Sequence, residues 1–216
     1  MLEVKTFIVN PLETNCFVIS DETKEAVIID PGMFAESEWD EVKEYVDSHG
    51  LCMKHCLLTH THFDHVMACH YVEKAWGLRP EGHADDVDQY KDLRHHTSMF
   101  LGFSMDIPLQ PPFGKCLNEG NSITFGSHTI DVLHTPGHSR GSVCYYIKDE
   151  KVLFAGDTLF AGSCGRTDLT GGNYTQMKHS LLRLISLPTD TIVYTGHGPE
   201  TTIEKETRWI QAVYRR

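Results

Sequence analysis

The chain has 216 residues, 40% of them hydrophobic, with 19 lysines and arginines against 30 aspartates and glutamates, a formal net charge of −11. That balance argues against nucleic acid as a partner, because phosphate binding needs a basic surface. No stretch approaches the roughly 20 uninterrupted apolar residues of a membrane span, and the opening Met1-Leu2-Glu3-Val4-Lys5-Thr6-Phe7 lacks a signal-peptide profile, so a cytoplasmic protein acting on a small molecule is expected.

Residues 4–9 and 15–20 read as strands, 21–24 as the turn into a third strand at 25–30, and Pro31-Gly32 as its stop. Ser37 is the expected N-cap of an amphipathic helix running to about Ser48, with Val42, Tyr45 and Val46 on one face and Gly50 ending it. Residues 51–58 return as a strand. It delivers four potential metal ligands within residues 60–65: His60, His62, Asp64 and His65. In an extended segment side chains alternate faces, so His60 and His62 point the same way. Asp64 and His65 follow where the chain turns into a helix expected over 65–76. Fourteen histidines allow some chance clustering. Three imidazoles and a carboxylate packed together, however, repel when protonated and cost desolvation when buried, unless a cation compensates.

Between 79 and 114 the pattern weakens. Residues 84–96 have helical composition, and the apolar, proline-rich 97–113 reads as a loop, either the rim of a pocket or a cover for the core. His95 and His96 are placed at the helix end as surface residues suited to its dipole. Strands resume at 123–125, 129–133, 143–147 and 151–155, followed by a helix at about 175–187, a strand at 191–194 and a last helix at about 202–214. The second half thus repeats the order of the first. One domain, 1–216, is expected, made of two similar halves at approximately 1–80 and 115–216, with two sheets packed face to face and helices outside. Seven cysteines, an odd number lying mostly in apolar runs (Cys16, Cys52, Cys56, Cys144), read as reduced core residues rather than a disulfide framework.

Three further ligand candidates each sit where a strand gives way to a glycine-bearing loop: His138 in 133–139, Asp157 in 153–158 and His197 in 193–198. A glycine just before the ligand lets the backbone turn tightly and come close to a metal. One such position is weak evidence; three beside His-x-His-x-Asp-His argue against coincidence.

In this combination the chain resembles the metallo-β-lactamase superfamily over nearly its whole length. The resemblance implies an α/β (α+β) fold, a four-layer αββα sandwich with metals at one edge. Residue by residue it implies two divalent metal ions, with His60, His62 and His138 on one, Asp64, His65 and His197 on the other, and Asp157 bridging. Zinc is the first expectation, but iron and manganese suit the same donors, so the ligand set does not name the metal. Two cations roughly 3.5–4 Å apart share a water and lower its pKa from about 16 towards 7, and the metal-bridged hydroxide attacks a polarised carbonyl. A thiolate leaves without help from a strong acid, so a thioester fits; Asp64 is expected both to hold a metal and to orient the hydroxide.

Residues 156–169, Gly-Asp-Thr-Leu-Phe-Ala-Gly-Ser-Cys-Gly-Arg-Thr-Asp-Leu, most resemble the glyoxalase II branch, hydrolases of thioesters such as S-lactoylglutathione. Arg166 falls where that branch carries a basic residue for the glutathione moiety, and Arg140, beside His138, is a second anion-binding candidate. Asp168 stands where two-domain members carry an aromatic residue, and the chain ends soon after Gly-His-Gly-Pro-Glu, as in the short, single-domain glyoxalase II-like hydrolases. The alternative is a persulfide dioxygenase, an oxidoreductase with a single iron held by His60, His138 and Asp157, because residues 164–168 also resemble that branch. Thr158-Leu159-Phe160 fits the hydrolases better. Metals that merely staple the halves are a third reading, but structural zinc sites normally close all four positions with protein ligands.

Overall fold

The computed structural model describes residues 1–214. β1 (Glu3–Val9) buries Phe7 and Val9 and pairs antiparallel with β2 (Thr14–Ser20), which pairs in turn with β3 (Glu25–Ile29). α1 (Glu36–Ser48) makes the crossover that lets β4 (Cys52–Leu57) run parallel to β3. α2 (Phe63–Val66), α3 (Cys69–Trp76), β5 (Pro80–His83), a 3₁₀ turn at Ala84–Asp86, α4 (Val87–Lys91), α5 (Leu93–Leu101) and β6 (Cys116–Leu117) follow. The second run is β7 (Ser122–Phe125), β8 (His128–His134), β9 (Val143–Ile147), β10 (Val152–Gly156), α6 (Tyr174–Leu184), β11 (Ile192–Thr195), β12 (Thr201–Thr202) and α7 (Ile203–Tyr214).

Two six-stranded sheets result, ordered β1-β2-β3-β4-β5-β6 and β12-β11-β10-β9-β8-β7. Strand alternation sorts the side chains into layers. In β2, Phe17 and Ile19 join Leu57, Phe125, Tyr145 and Phe154 between the sheets. Cys16 and Val18 pack on the opposite face with Trp39, Val42 and Val72 from the helices. Cys144, Tyr146 and Leu153 meet Met177, Leu181 and Ile210 on the far side. The fold is therefore the expected αββα sandwich. Each such fully buried aliphatic or aromatic side chain contributes on the order of 1.5–3 kcal/mol of burial.

Several local expectations change. Ser37 does not cap α1: Ala35 holds that position, and Glu38 accepts from the Phe34 and Ala35 N–H groups at 2.8 and 3.1 Å. The helix expected over 65–76 is two helices. The Asp64 carbonyl accepts from Asn10 Nδ2 (3.0 Å), and the Ala68 N–H that would have used it bonds to Pro31 O instead (2.9 Å). α5 carries the chain helically through Leu101, so the first five residues of the expected 97–113 loop belong to it. β5 and β6 were not expected, since Pro80 and Gly82 are poor strand formers and β6 has only two residues; they form as short parallel additions, β5 beside β4 and β6 beside β5. All seven cysteines are free, and Cys52 is exposed rather than in the core. Among the described residues no helix is long and apolar enough to cross a membrane.

Candidate metal centre

All seven ligand candidates lie just past strand ends and meet at one edge of the sandwich. The loop after β4 supplies His60 and His62, and α2 supplies Asp64 and His65. His138 follows β8, Asp157 follows β10 and His197 follows β11. The glycines act as the sequence suggests. Gly156 takes a left-handed φ of 48°, and a Cβ on Gly196 would stand 2.1 Å from Asp157 Oδ1.

Three overlapping sets of ligating atoms result: His60, His62 and His138; Asp64, His65 and His197; and His60, His65 and Asp157. His62 Nδ1 and His138 Nε2 stand 2.8 Å apart. His197 Nε2 lies 3.3 Å from Asp64 Oδ2, and His65 Nε2 lies 3.4 Å from it. Asp157 reaches both sides. Its Oδ2 is 3.3 Å from His138 Nε2 and 3.6 Å from His197 Nε2, and its Oδ1 is 3.5 Å from His65 Nε2.

Behind these rings stands a set of acceptors. His65 Nδ1 donates to Asp30 Oδ2 (3.0 Å), His138 Nδ1 to Arg166 O (2.8 Å) and His197 Nδ1 to Leu12 O (3.0 Å). The Thr59 hydroxyl donates to Asp30 Oδ2 (2.7 Å), so it accepts from His60 Nδ1 at 3.1 Å. His60 Nε2 is thereby left as a bare lone pair. Neither it nor Asp157 Oδ1 has a hydrogen-bond partner although both are buried. Orphaned acceptors facing one another are what a cation would satisfy, so the residues present fit metal ions.

The charges agree. Burial, and then the neighbouring imidazoles, push His60 and His62 well below the ordinary histidine range, which keeps their lone pairs free. Burial opposes charge on His65 too, but Asp64, Asp157 and Asp30 outweigh it and lift His65 to about 10. His197 is raised, with Asp64 and Asp157 overcoming its burial. The carboxylates call for positive charge, which divalent cations would supply in exchange for protons.

Asp30, Thr59, Asp86 and Thr14 were missed by the sequence reading. Asp86 is buried and accepts from Thr61 N (3.3 Å), Ser139 Oγ (2.7 Å) and Gly141 N (2.6 Å), tying the His60–His62 loop to the His138 loop. The one sequence signal for Asp30 is a carboxylate ending an apolar strand just before Pro31-Gly32. A separate group, His83, Asp85 and His134, has its two imidazoles stacked at 4.0 Å and 4°, so their in-plane lone pairs do not converge.

The centre opens into a cleft of about 610 Å³. His62, Asp64, His138, Asp157 and His197 line its floor, while His60 and His65 are buried beneath. Arg166 and Asp168 stand in its wall. Arg140 is exposed and is not part of the lining. His96, expected at a helix end on the surface, lies in the first half of α5 and is half-buried in the wall.

A two-sheet sandwich with histidine and aspartate clusters at one edge defines a class of metal-binding enzyme scaffolds. Residues 9–197 match the family model of the metallo-beta-lactamase superfamily, and the chain belongs to that superfamily. It is 36% identical to the probable metallo-hydrolase YqgX of Bacillus subtilis, covering 92% of this chain and 91% of the relative. It is 32% identical to the hydroxyacylglutathione hydrolase GloC of Haemophilus influenzae, covering 96% of each. Solved structures agree: BLEG-1 B3 metallo-beta-lactamase (TM-score 0.85, 38% identity, 95% of this chain and 96% of that one) and TTHA1623 in a di-iron-bound form (0.82, 36%, 95% and 98%). ETHE1 from Myxococcus xanthus superposes with a TM-score of 0.78 at 27% identity, over 99% of this chain and 85% of that one.

Proposed function

We propose that the chain is a dinuclear metal-dependent hydrolase of small thioesters, of the glyoxalase II type. The observation that carries this reading is Asp157, whose two oxygens lie within 3.6 Å of imidazoles from both sets. In this reading His60, His62 and His138 hold one ion, Asp64, His65 and His197 the other, and Asp157 faces both. Bound there, the ions would supply a Lewis acid for the acyl oxygen and a water acidified towards neutral pH.

The chain's own residues do the positioning. Thr14 Oγ1 donates to Asp64 Oδ2 at 3.0 Å, fixing a carboxylate that accepts a hydrogen bond from the attacking water and so aims it. Phe63, Phe100 and Phe160 give the cleft an apolar wall against which the acyl group packs. No strong acid is needed for a departing thiolate. The name of GloC and the segment 156–169 support thioesters over other acyl compounds.

Likeness to ETHE1 favours a second reading, a single-iron oxidoreductase using His60, His138 and Asp157 alone. The equally tight grouping of Asp64, His65 and His197 speaks for two ions. Protein loaded with zinc, iron or manganese should remove the thioester absorbance of S-lactoylglutathione or a short-chain acyl thioester. Oxygen uptake with glutathione persulfide, and no thioester cleavage with any metal, would move the assignment to the oxidoreductase.

A further inference from the structure

The wall of the cleft carries a charge arrangement that bears on which thioester enters. Arg166 Nε donates to Asp168 Oδ1 at 2.7 Å and Nη2 donates to Asp168 Oδ2 at 2.6 Å, so the guanidinium fork is engaged bidentately. Arg166 is the only lysine or arginine among the described residues that line the cleft. Building on the thioesterase reading, we infer that Asp168 sets specificity by closing this guanidinium to anionic substrates, so that the accepted thioester is uncharged and apolar where it meets residues 166–169.

A substrate carboxylate seeking Arg166 must displace one tethered two residues away, whose effective concentration is on the order of millimolar. It would then stand beside the displaced Asp168, and like charges so placed are strongly unfavourable. While paired, Asp168 stays ionised, since its hydrogen bonds from Arg166 hold its carboxyl down to about 2, so the guanidinium remains engaged at neutral pH. The backbone that carries the guanidinium is anchored beside the centre, because the Arg166 carbonyl accepts from His138 Nδ1 at 2.8 Å.

The remaining wall points the same way. Leu12, Phe63, Met99, Phe100, Phe160 and Leu169 present apolar surface, and Met99 and Phe100 stay 68% and 42% exposed. A bare apolar patch beside a polar floor is the signature of a ligand groove. An aliphatic or aromatic group fits it; the two carboxylates and ammonium of glutathione find no free counter-charge among these side chains, because Arg166 and Asp168 are engaged with each other.

The test uses metal-loaded full-length wild type, Asp168→Ala and the double variant Asp168→Ala/Arg166→Ala. The probes are S-lactoylglutathione, the S-lactoyl ester of uncharged N-acetylcysteamine, and glutathione alone in titration calorimetry. Wild type should favour the uncharged ester in kcat/KM by about tenfold or more. Asp168→Ala should raise kcat/KM for the glutathione ester and tighten glutathione binding by a similar factor, with both gains lost in the double variant. A wild type that prefers the glutathione ester overturns the inference. So does an Asp168→Ala protein with unchanged ester preference and unchanged glutathione binding. If no variant cleaves either ester, the thioesterase reading fails by itself, and glutathione affinity alone decides the role of Asp168: tighter in Asp168→Ala upholds it, unchanged refutes it.

Discussion

Behind four of the five imidazoles in the centre stands a hydrogen-bond partner: the adjacent Thr59 hydroxyl for His60 and, from other segments, Asp30, the Arg166 carbonyl and the Leu12 carbonyl for His65, His138 and His197. The wall a few ångströms away has no such scaffolding. Met99 and Phe100 lie open, and the Arg166–Asp168 pair is solvent-exposed. The difference follows from burial. Polar groups in a low-dielectric floor are costly unless every partner is supplied, so the floor is over-determined. Exposed side chains can be substituted without leaving a buried polar group unpaired. On the proposed function, the chemistry lies in the floor and the substrate choice in the wall, and mutations should separate the two.

The largest effect belongs to the floor. Asp64→Asn removes an anionic donor and the carboxylate that aims the water; thioester hydrolysis should fall by roughly 10²–10³-fold, while circular dichroism reports an intact fold. Undiminished turnover would remove Asp64 from the account. Next comes Asp30→Asn, one shell back. It weakens the anion behind His65 and leaves fewer acceptors for Thr59 and His65. Metal affinity, measured by competition with a chelator, should drop about 10–100-fold. Equal affinity would mean the floor is not over-determined.

The wall should respond differently. Phe100→Ala removes part of a half-exposed ring, worth about 1 kcal/mol of substrate binding, so KM for an apolar thioester should rise about fivefold with kcat nearly unchanged. A fall in kcat instead would erase the distinction between floor and wall. Smallest is Glu119→Gln, remote from the cleft, where Arg183 donates to both carboxylate oxygens at 2.8 and 2.6 Å. Arg183 holds the Glu119 carboxyl below its ordinary 4.5, so the pair stabilises the fold at neutral pH and that contribution is lost as the pH falls below about 4.5. Both groups are substantially exposed. Thermal unfolding should therefore show a loss of at most about 1 kcal/mol at pH 7 that shrinks towards pH 3; a difference that grows in acid would contradict the sign.

The same division governs what could be read in advance. His60, His62, Asp64 and His65 announce themselves because donors at short spacing follow an apolar strand, and His138, Asp157 and His197 because each follows a glycine at a strand end. The strands were legible as short apolar runs bounded by turn residues, as in β2, which is buried throughout because its two faces meet different cores. Asp86 was not legible, since its partner Ser139 lies 53 residues away and a hydrogen bond across that span leaves no local pattern. The Arg166–Asp168 pair escaped notice because both residues lie in an irregular loop, where no periodicity says which side chains meet. The length of α5 was obscured by an apolar run that also suits a loop.

The central claim is that two sets of ligands share Asp157, and the metal-to-chain ratio tests it most directly. Wild type and Asp157→Asn would be reconstituted with zinc, iron or manganese, freed of excess ion and measured by elemental analysis. The account predicts about two ions per chain in the wild type and at most one in Asp157→Asn. One ion or fewer in the wild type, or the same ratio in both proteins, would contradict it.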